Sequence, residues 1–433
     1  MAQDVHHHTF PNGLTLLAER MTHVRSAALN FLVPAGCVYD PPAERGMASV
    51  LSDLITRGAG DRDSRALTLA LDNLGLDRDE SVSTFHMRFW AATLASNLPA
   101  ALEIYADILR RPHLPADELE AVRALALQDI QSLEDEPRQK VLIELRRRHY
   151  PAPLGLDHRG TPEGLGKLTP ASIRAHHAKH FQPRGSIVSV AGNIEWGPLK
   201  EQVGRLFGDW EAGPEQQLKL VKPIGGATHL KKDTEQTQIA IAYPSVPFGH
   251  ADYYAAQGAV NVLSGGMSAR LFTEVREKRG LCYAVWATHQ TFKDRASVIC
   301  YAGTTNKRAQ ETLDVTLAEL HRLLVGIETE EVERVQAGLK STLIMREEST
   351  SARAGAMASD WYYLGRVRGL DEIQAAIDSL TPRRIVAHLK KMPPGEFTIV
   401  TLGPKKLKVK ETSNNHARLA ATRSGARSAS RRG

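Results

Sequence analysis

Two groups of histidines are the first candidates for metal chemistry in this chain. His176, His177 and His180 form the pattern H-H-x-x-H, and His6–His8 form a tract near the N-terminus. On a helix, His176 and His180 would lie four residues apart on one face, where both imidazoles can reach one metal ion. No glutamate stands at the position that a catalytic base would need, so a surface or packing role is favoured. For His6–His8 the favoured interpretation is the polar start of a first strand, with a metal-binding tract as the alternative.

Other common catalytic arrangements find little support in the sequence. The three cysteines, Cys37, Cys282 and Cys300, form no C-x-x-C pair. Their odd number argues against a disulfide framework and fits a reducing compartment. Gly265 and Gly266 are not followed by the Gly-Lys-Ser/Thr of a phosphate-binding loop, so a tight turn is favoured there. There is no G-x-S-x-G motif for a serine nucleophile, which leaves a stand-alone enzyme with other chemistry as a third-ranked interpretation.

The composition indicates a soluble globular protein with more than one domain. The chain has 433 residues, too many for a single hydrophobic core, with 42% hydrophobic and 24% charged residues. No apolar run is long enough to span a bilayer. The N-terminal residues contain an early acid and three histidines, with neither a basic flank nor an apolar stretch. We therefore expect no secretory signal and a cytoplasmic location.

The positive net charge is concentrated in the last residues. From Pro404 to Gly433 the chain has four Lys, five Arg and one Glu, a balance of +8, so the rest of a chain of net charge +6 carries about −2. This segment has few apolar residues and no periodicity, and we predict a disordered basic tail over residues 406–433. Contact with nucleic acid or an anionic membrane is the alternative to a solvated tail, and we expect no nucleic-acid partner.

A long internal repeat divides the chain into two related halves. Leu168-Thr169-Pro170 begins a helical pattern followed by the apolar strand GSIVSVAGNI, and Leu380-Thr381-Pro382 begins a second, followed by EFTIVTLGP. In both, the threonine is placed to cap a helix and the proline to occupy its first turn. The repeat predicts homologous domains at residues 1–215 and 228–405, with a linker rich in Gly, Pro and Lys at residues 216–227.

Each half has strands first and helices later, which is typical of an α+β fold. Strand-like alternation precedes a helix near residues 46–56, and a hairpin pattern turns at Lys293-Asp294. Long helices are predicted at about 97–110 and 115–134. We therefore expect each domain to be a mainly antiparallel sheet with helices packed on one face.

Three segments of this repeat resemble the pitrilysin/insulinase family of peptidases, the inverzincins. They are FPNGLTLLAER near the N-terminus, GMASVLSDLITRGAG from Gly46 and LSGGMSARLFTEVREKRGLCYAV from Leu263, and the third is the most specific. The resemblance covers essentially the whole chain except the tail. It implies two homologous domains that together form half of a clamshell around a peptidase chamber.

The resemblance also identifies a zinc-binding motif that has been lost. Active members carry H-x-x-E-H on a helix, where two histidines bind zinc and the glutamate activates the metal-bound water. Here those positions are Ser49, Ser52 and Asp53, and the third ligand position falls at Asp129. Two serines and two aspartates offer no imidazole, so we predict no metal in this chain. A hard cation bound by Asp53 and Asp129 is the less favoured alternative.

A second set of family positions is retained in the other half. The segment from Met267 to Arg279 is predicted to be a helix ending at Gly280, with Arg276 in its last turn and Tyr283 at the start of the next strand. The resemblance implies that this arginine and tyrosine reach toward a zinc site across the chamber, where they hold substrate and the oxyanion. The alternative is a capping arginine and a core tyrosine. The resemblance also implies that Gly265 and Gly266 could form a substrate loop.

These observations predict a non-catalytic subunit of a heterodimeric zinc metallopeptidase that degrades or processes unfolded peptides. The family contains pairs in which only one subunit binds zinc, so the expected partner is a zinc-bearing homologous subunit. This chain would carry no cofactor and would supply Arg276 and Tyr283 to the partner's zinc site. The runner-up is a structural or peptide-binding scaffold subunit that takes no part in hydrolysis.

Overall fold

The computed structural model describes residues 3–409, which contain two β-sheets, one in each half of the chain. The first sheet has six strands in the order β1-β2-β6-β3-β5-β4, and the second has five in the order β7-β11-β8-β10-β9. The strands are β1 Asp4–Thr9, β2 Thr15–Arg20, β3 Ser26–Val33, β4 Asp77–Val82, β5 Met87–Leu94, β6 Ile187–Gly192, β7 Ala227–Lys231, β8 Gln236–Ser245, β9 Cys282–Thr291, β10 Ala296–Thr305 and β11 Thr398–Gly403.

The helices occupy most of the chain between the strands. They are α1 Met47–Leu54, α2 Ser64–Asn73, α3 Leu98–Arg110, α4 Leu119–Ser132, α5 Pro137–His149, α6 Pro162–Leu165, α7 Pro170–His180, α8 Trp196–Phe207, α9 Tyr253–Ser264, α10 Ala309–Arg322, α11 Thr329–Glu347, α12 Thr350–Leu364, α13 Leu370–Asp378 and α14 Pro382–Lys391. The side chains of Thr169 and Thr381 cap α7 and α14 by accepting hydrogen bonds from the backbone N–H of Ser172 and Arg384.

The strand pairings repeat between the halves and are mainly antiparallel. Among the described strands, β2 with β6 and β7 with β11 pair in parallel, and the other neighbours are antiparallel. Strands β7, β11, β8, β10 and β9 therefore reproduce the order and direction of β2, β6, β3, β5 and β4. The α+β class expected from the sequence is confirmed. The hairpin of β9 and β10, with its turn at Lys293-Asp294, also agrees with the prediction.

Each sheet buries one face against the helices of its own half. In the first half, Leu51 on α1, Leu102 on α3 and Phe207 on α8 pack against strand residues such as Phe31. In the second half, Leu263 on α9 and other buried helix residues pack against the corresponding strands. Burial of these large apolar side chains is the main stabilising term of both halves.

The opposite face of each sheet is covered by a helix from the other half. Val141 and Leu145 on α5, a helix of the first half, pack against the second sheet. Ala354 and Met357 on α12, a helix of the second half, pack against the first sheet. The expectation of helices on one face thus describes only half of the packing. Because the exchange is reciprocal, each half completes the other half's core.

The boundary segments are held to the folded body at several points. In the predicted linker, Val221 forms a β-bridge with Ala152, and the Gln216 side chain bonds His180. Leu407 packs into the second core, so residues 406–409 belong to the folded part and not to a tail. Residues 410–433 of the predicted tail lie outside the described residues. Within residues 3–409, no helix is long and apolar enough to cross a membrane.

Candidate functional site

The helix that would carry the zinc motif is well formed at its N-terminus. Gly46 precedes α1 with a φ of 101°, a conformation that glycine adopts without a steric penalty. The backbone N–H groups of Gly46 and Ala48 donate to the carboxylate of Asp40 at 2.9 and 3.0 Å. Burial raises the pKa of Asp40 to about 7, against the lowering effect of these hydrogen bonds. The start of α1 is therefore held by the carboxylate of Asp40.

Two of the four vestigial positions, Ser49 and Asp129, engage other partners. Ser49 Oγ donates to the backbone carbonyl of His158 at 2.7 Å, and Asp129 accepts from Arg159 Nε at 2.7 Å. Ser52 is half-buried, and Asp53 is exposed to solvent. The pKa of Asp53 is raised, mainly by partial desolvation and also by the charge of Asp129. The negative charge of Asp129 therefore disfavours ionisation of Asp53.

These residues do not fit a zinc ion. Zinc in proteins is held by imidazole, thiolate and carboxylate ligands, and the α1 positions provide two hydroxyls and one carboxylate. The remaining carboxylate, that of Asp129, is already neutralised by Arg159. Within the described part of the chain, no group of three or more His, Cys, Asp and Glu side chains could hold a metal ion.

The histidines of α7 serve packing. His176 and His180 are buried, with ring centroids 4.3 Å apart, and Tyr39 stacks on His180. His177 Nε2 lies 3.0 Å from the carbonyl oxygen of Leu109. Burial lowers the pKa of His176 to about 3 and that of His180 to about 4, so both rings are neutral at pH 7. The favoured packing interpretation agrees with these contacts.

The N-terminal histidine tract is part of the first strand. His6, His7 and His8 lie in β1, which pairs with β2. His6 stacks on Trp196 and His7 packs on Trp361, both with centroid distances of 5.1 Å. Their contacts are therefore those of a strand packed against aromatic residues.

Arg276 lies on a π-helical segment and not on the regular helix predicted from Met267 to Arg279. The π-helix spans Phe272–Glu277, and Lys278 N donates to the carbonyl of Thr273, five residues earlier, at 2.9 Å. Residues 265–269, which precede it, form a turn and not a helix, so the longer helix is a wrong prediction. A π-helical turn contains one more residue per hydrogen-bonded ring than an α-helical turn. Such turns are rare and occur frequently at functional sites.

The turn after this segment presents Tyr283. Gly280 has a φ of 58°, as its predicted position after a helix end requires. Gly75, which precedes β4 in the first half, has a φ of 59°, so both edge strands begin after the same type of turn. Tyr283 is the second residue of β9 and is 68% exposed, which excludes the core role considered as the alternative.

Ion pairs of Glu274 stabilise the π-helical segment that carries Arg276. Its carboxylate accepts hydrogen bonds from Lys278 Nζ and Arg279 Nη1, each at 2.8 Å, and lies 3.7 Å from Arg322 Nη1. Hydrogen bonds from Lys278 and Arg279 lower the pKa of Glu274 to about 2. Arg276 itself is exposed, with its guanidinium carbon 4.8 Å from the Phe272 ring centroid. It forms no ion pair with the described residues, so its charge is available to another molecule.

Gly265 and Gly266 form an exposed turn between α9 and the π-helix. The backbone N–H of Gly265 donates to the carbonyl of Asn261 at 2.6 Å, which ends α9. Gly266 has a φ of 156°, and Met267 beside it is 75% exposed. The geometry agrees with a tight turn, while the substrate-loop role stays a prediction.

A cavity between the two halves was missed by the sequence reasoning. It has a volume of about 200 Å³ and lies beside the end of β4, at Ser83. Tyr150 and Phe292, one from each half, provide apolar walls, and Arg146 and Asp157 provide charge. No motif marks these residues, because they come from four separate segments of the chain. The ion pair of Asp129 with Arg159 was missed for the same reason.

Comparison with known proteins identifies the family. The family model described as insulinase (peptidase family M16) matches residues 15–157, and the model described as peptidase M16 inactive domain matches residues 167–339. The uncharacterized zinc protease YmxG of Bacillus subtilis is 28% identical over 403 residues, which cover 92% of this chain and 98% of that protein. An uncharacterized zinc protease of Rickettsia felis is 26% identical over 399 residues, covering 92% and 97%.

Two solved structures share the whole fold. The peptidase M16 inactive domain from Pseudomonas fluorescens has a TM-score of 0.87 at 20% identity, over 94% of this chain and 99% of that one. A protease from Helicobacter pylori has a TM-score of 0.85 at 20% identity, over 93% and 100%. The family models cover both halves, and the α1 positions lack every histidine of the zinc motif. The chain therefore belongs to the insulinase family, peptidase family M16, as a member without the zinc-binding residues.

Proposed function

We propose that this chain is the zinc-less subunit of a heterodimeric zinc metallopeptidase that degrades or processes unfolded peptides. A homologous partner subunit carries the zinc ion and the general base. This chain supplies Arg276 and Tyr283 to the partner's site. The observation that carries the proposal is that Arg276, on the π-helix, and Tyr283, at the start of β9, are both exposed. A short turn separates them, and Glu274 holds this turn through Lys278 and Arg279.

The chemistry of the two side chains suits peptide hydrolysis at a metal in another subunit. A tyrosine hydroxyl donates one hydrogen bond and can stabilise the oxyanion that forms when water attacks a peptide carbonyl. The guanidinium of Arg276 can hold a substrate carbonyl or carboxylate through two parallel hydrogen bonds. Neither residue can activate water, and Ser52 stands at the α1 position where the motif has its general base. This chain alone would be inactive.

The sheet edges provide a way to hold an extended peptide. β4 and β9 are each an outer strand of their sheet, and Tyr283 is the second residue of β9. An unfolded peptide can add to such an edge through backbone hydrogen bonds, which bind without regard to most side chains. A folded protein has no free extended segment to offer, so the proposed substrates are unfolded peptides.

The competing function is a scaffold subunit that holds peptide or partner without acting in hydrolysis. Loss of the zinc ligands is compatible with both functions. A scaffold function, however, gives no role to the exposed Tyr283 on β9 or to Arg276 on the π-helix, which forms no ion pair with the described residues. The retained pair therefore favours a part in the partner's reaction.

Steady-state kinetics of the reconstituted pair test the proposal. The chain is mixed with a zinc-bearing homologue, and assembly is checked by size-exclusion chromatography. Tyr283→Phe keeps the ring and should leave assembly intact while lowering kcat by about 10²–10³, the usual cost of losing one oxyanion donor. Arg276→Ala should mainly raise KM if the guanidinium holds the peptide equally in ground and transition states. Arg205→Ala, at an exposed position on α8, is the matched control and should change neither constant.

Full activity of a Tyr283→Phe, Arg276→Ala double variant in an intact heterodimer would contradict the proposal. The chain would then be a scaffold. Peptide cleavage by the chain alone, without added metal or partner, would contradict both functions.

A further inference from the structure

The guanidinium of Arg159 lies among the groups that surround the vestigial zinc position. Its Nε donates to Asp129 Oδ2 at 2.7 Å, and its Nη1 lies 3.2 and 3.3 Å from the two carboxylate oxygens of Asp157. Nη2 reaches Gln139 Oε1 on α5 at 3.4 Å. The Arg159 side chain is 19% exposed, so most of its surface is turned into the protein. One cation thus connects α4, α5 and the loop that contains residue 159.

The first ligand position of α1 is tied to the same loop. Ser49 Oγ donates to the carbonyl of His158, the residue before Arg159, at 2.7 Å. Gly160, the residue after it, has a φ of 79°, and a Cβ there would lie 2.2 Å from the carbonyl oxygen of Arg45, just before α1. Only glycine permits so close an approach, which presses the loop against the start of the helix. The loop is therefore held on both sides of Arg159.

The local charges favour a fixed cation over a bound metal ion. Asp53, Asp129 and Asp157 supply three carboxylates to this region, and Asp129 and Asp157 both contact Arg159. A divalent ion at Asp53 and Asp129 would compete with Arg159 for the Asp129 carboxylate and would lie beside a guanidinium that Asp157 then has to compensate. Repulsion between cations a few ångströms apart is unfavourable at the effective dielectric of a protein surface.

We propose that Arg159 takes the place of the metal ion in this subunit, joining α4 to the loop over α1 and keeping divalent cations out. This inference concerns the chain's own residues and does not depend on the proposed role in hydrolysis. The hydroxyl of Ser49 and the carboxylate of Asp129, at two former ligand positions, then hold the loop and not a metal. Two features of this subunit therefore oppose metal binding. The zinc ligands are missing from α1, and the fixed positive charge of Arg159 repels cations.

Restoring the zinc motif with and without Arg159 tests the exclusion of metal. The triple variant Ser49→His, Ser52→Glu, Asp53→His regains H-x-x-E-H, and Asp129 can serve as the carboxylate ligand. With Arg159 present, we expect weak zinc binding in titration calorimetry. Adding Arg159→Met, which keeps much of the apolar stem, should tighten binding at least about tenfold. Equal zinc affinity in both folded backgrounds would overturn the exclusion.

Melting of single variants tests the structural part without added metal. Arg159→Met should lower the melting temperature by several degrees, and Arg159→Lys should restore part of the loss, because it keeps the charge but not the fork. Arg205→Met is the control, since Arg205 pairs with Glu103 at 3.5 Å on the surface and should have little effect. Unchanged melting of Arg159→Met would overturn the joining role.

Discussion

Glu19 on β2 and Arg353 on α12 form a buried ion pair between the two halves of the chain. Arg353 Nε and Nη2 lie 2.7 and 2.6 Å from Glu19 Oε2, and the two side chains are only 5% and 8% exposed. Gln3 Nε2 donates to the other oxygen of Glu19 at 3.3 Å. The pair lies where α12 of the second half covers the first sheet, so it fixes the position of the exchanged helix.

Removal of one partner of this pair should be strongly destabilising. Arg353→Met leaves the Glu19 carboxylate buried without a counter-charge, and such changes typically cost about 3–5 kcal/mol. The free energy of unfolding from urea titration is the measurement. The double variant Glu19→Gln, Arg353→Met should recover part of the loss, because no unpaired charge stays buried.

An exposed pair elsewhere provides the control for Arg353. Arg366 pairs with Glu372 on the surface, with side chains 56% and 46% exposed. Arg366→Met should therefore change the free energy of unfolding by less than about 1 kcal/mol. A loss of that small size for Arg353→Met would contradict the structural role of the buried pair.

The reciprocal exchange of α5 and α12 predicts that the halves depend on each other. A fragment of residues 1–215 contains α5 but lacks the helix that covers its own sheet, and a fragment of residues 228–409 is in the converse situation. Expressed alone, each should aggregate, because an apolar sheet face is exposed. Expressed together, the two fragments should copurify as a complex, measured by size-exclusion chromatography.

A single polar substitution in each exchanged helix should abolish that association. Val141→Asp on α5 places a charge against the second sheet, and Met357→Asp on α12 places one against the first. Ala337→Asp, at an exposed position on α11, is the control. Isolated fragments that are soluble, monomeric and cooperatively folded would contradict the dependence.

The repeat could be read from the sequence, whereas the exchange of helices could not. Paired Leu-Thr-Pro helix starts at residues 168 and 380 gave two similar halves, since capping residues and apolar strands leave local signals. The apolar positions of α5, such as Val141 and Leu145, indicate only that one helix face is buried. They do not specify which sheet covers this face, because both sheets have apolar faces. Which sheet α5 packs against depends on how the chain connects the two halves.

The same limit applies to the candidate site. Ser49, Ser52 and Asp53 could be recognised because the metal motif has a fixed spacing within one helix. The partner of Asp129 is Arg159, 30 residues later in a loop without periodicity, and no spacing rule connects them. The π-helix around Arg276 was also missed, because the sequence patterns of a π-turn and an α-helix differ by one residue over a single turn.

Glu274 should act as a positioning residue for Arg276 and Tyr283. Glu274→Gln removes the charge that holds Lys278, Arg279 and Arg322, and the turn that presents the pair should loosen. Displacement of a substrate-positioning group by about 1 Å can cost about 10²-fold in rate. We therefore expect a drop of about 10- to 100-fold in kcat/KM of the reconstituted heterodimer, with a small change in melting temperature.

The neighbouring Glu277 offers a matched control for Glu274. It lies on the same π-helix, is exposed, and forms no ion pair with the described residues. Glu277→Gln should leave kcat/KM unchanged. Glu274→Gln could instead lower the activity only in proportion to the amount of heterodimer that forms, together with a lower melting temperature. That result would show that Glu274 contributes to stability alone and would contradict the positioning role.

Stability should fall as the pH drops from about 6.5 to about 4, because several histidines are buried in neutral form. Burial lowers the pKa of six of them to about 3 or 4: His86, His149, His176, His177, His180 and His289. In the unfolded chain their pKa is about 6.5, so below this pH the unfolded state binds more protons than the folded state. Each such histidine lowers the free energy of unfolding by up to about 1.4 kcal/mol per pH unit in this window. Asp40 opposes one of them, since its raised pKa of about 7 favours the folded state as pH falls.

The net effect is destabilisation, measured as urea midpoints at pH 7.5, 6.0 and 5.0. His176→Gln should flatten the profile relative to the parent chain, whereas His23→Gln, on an exposed loop, should not. A midpoint that stays constant from pH 7.5 to 5.0 would contradict the neutral burial of these rings.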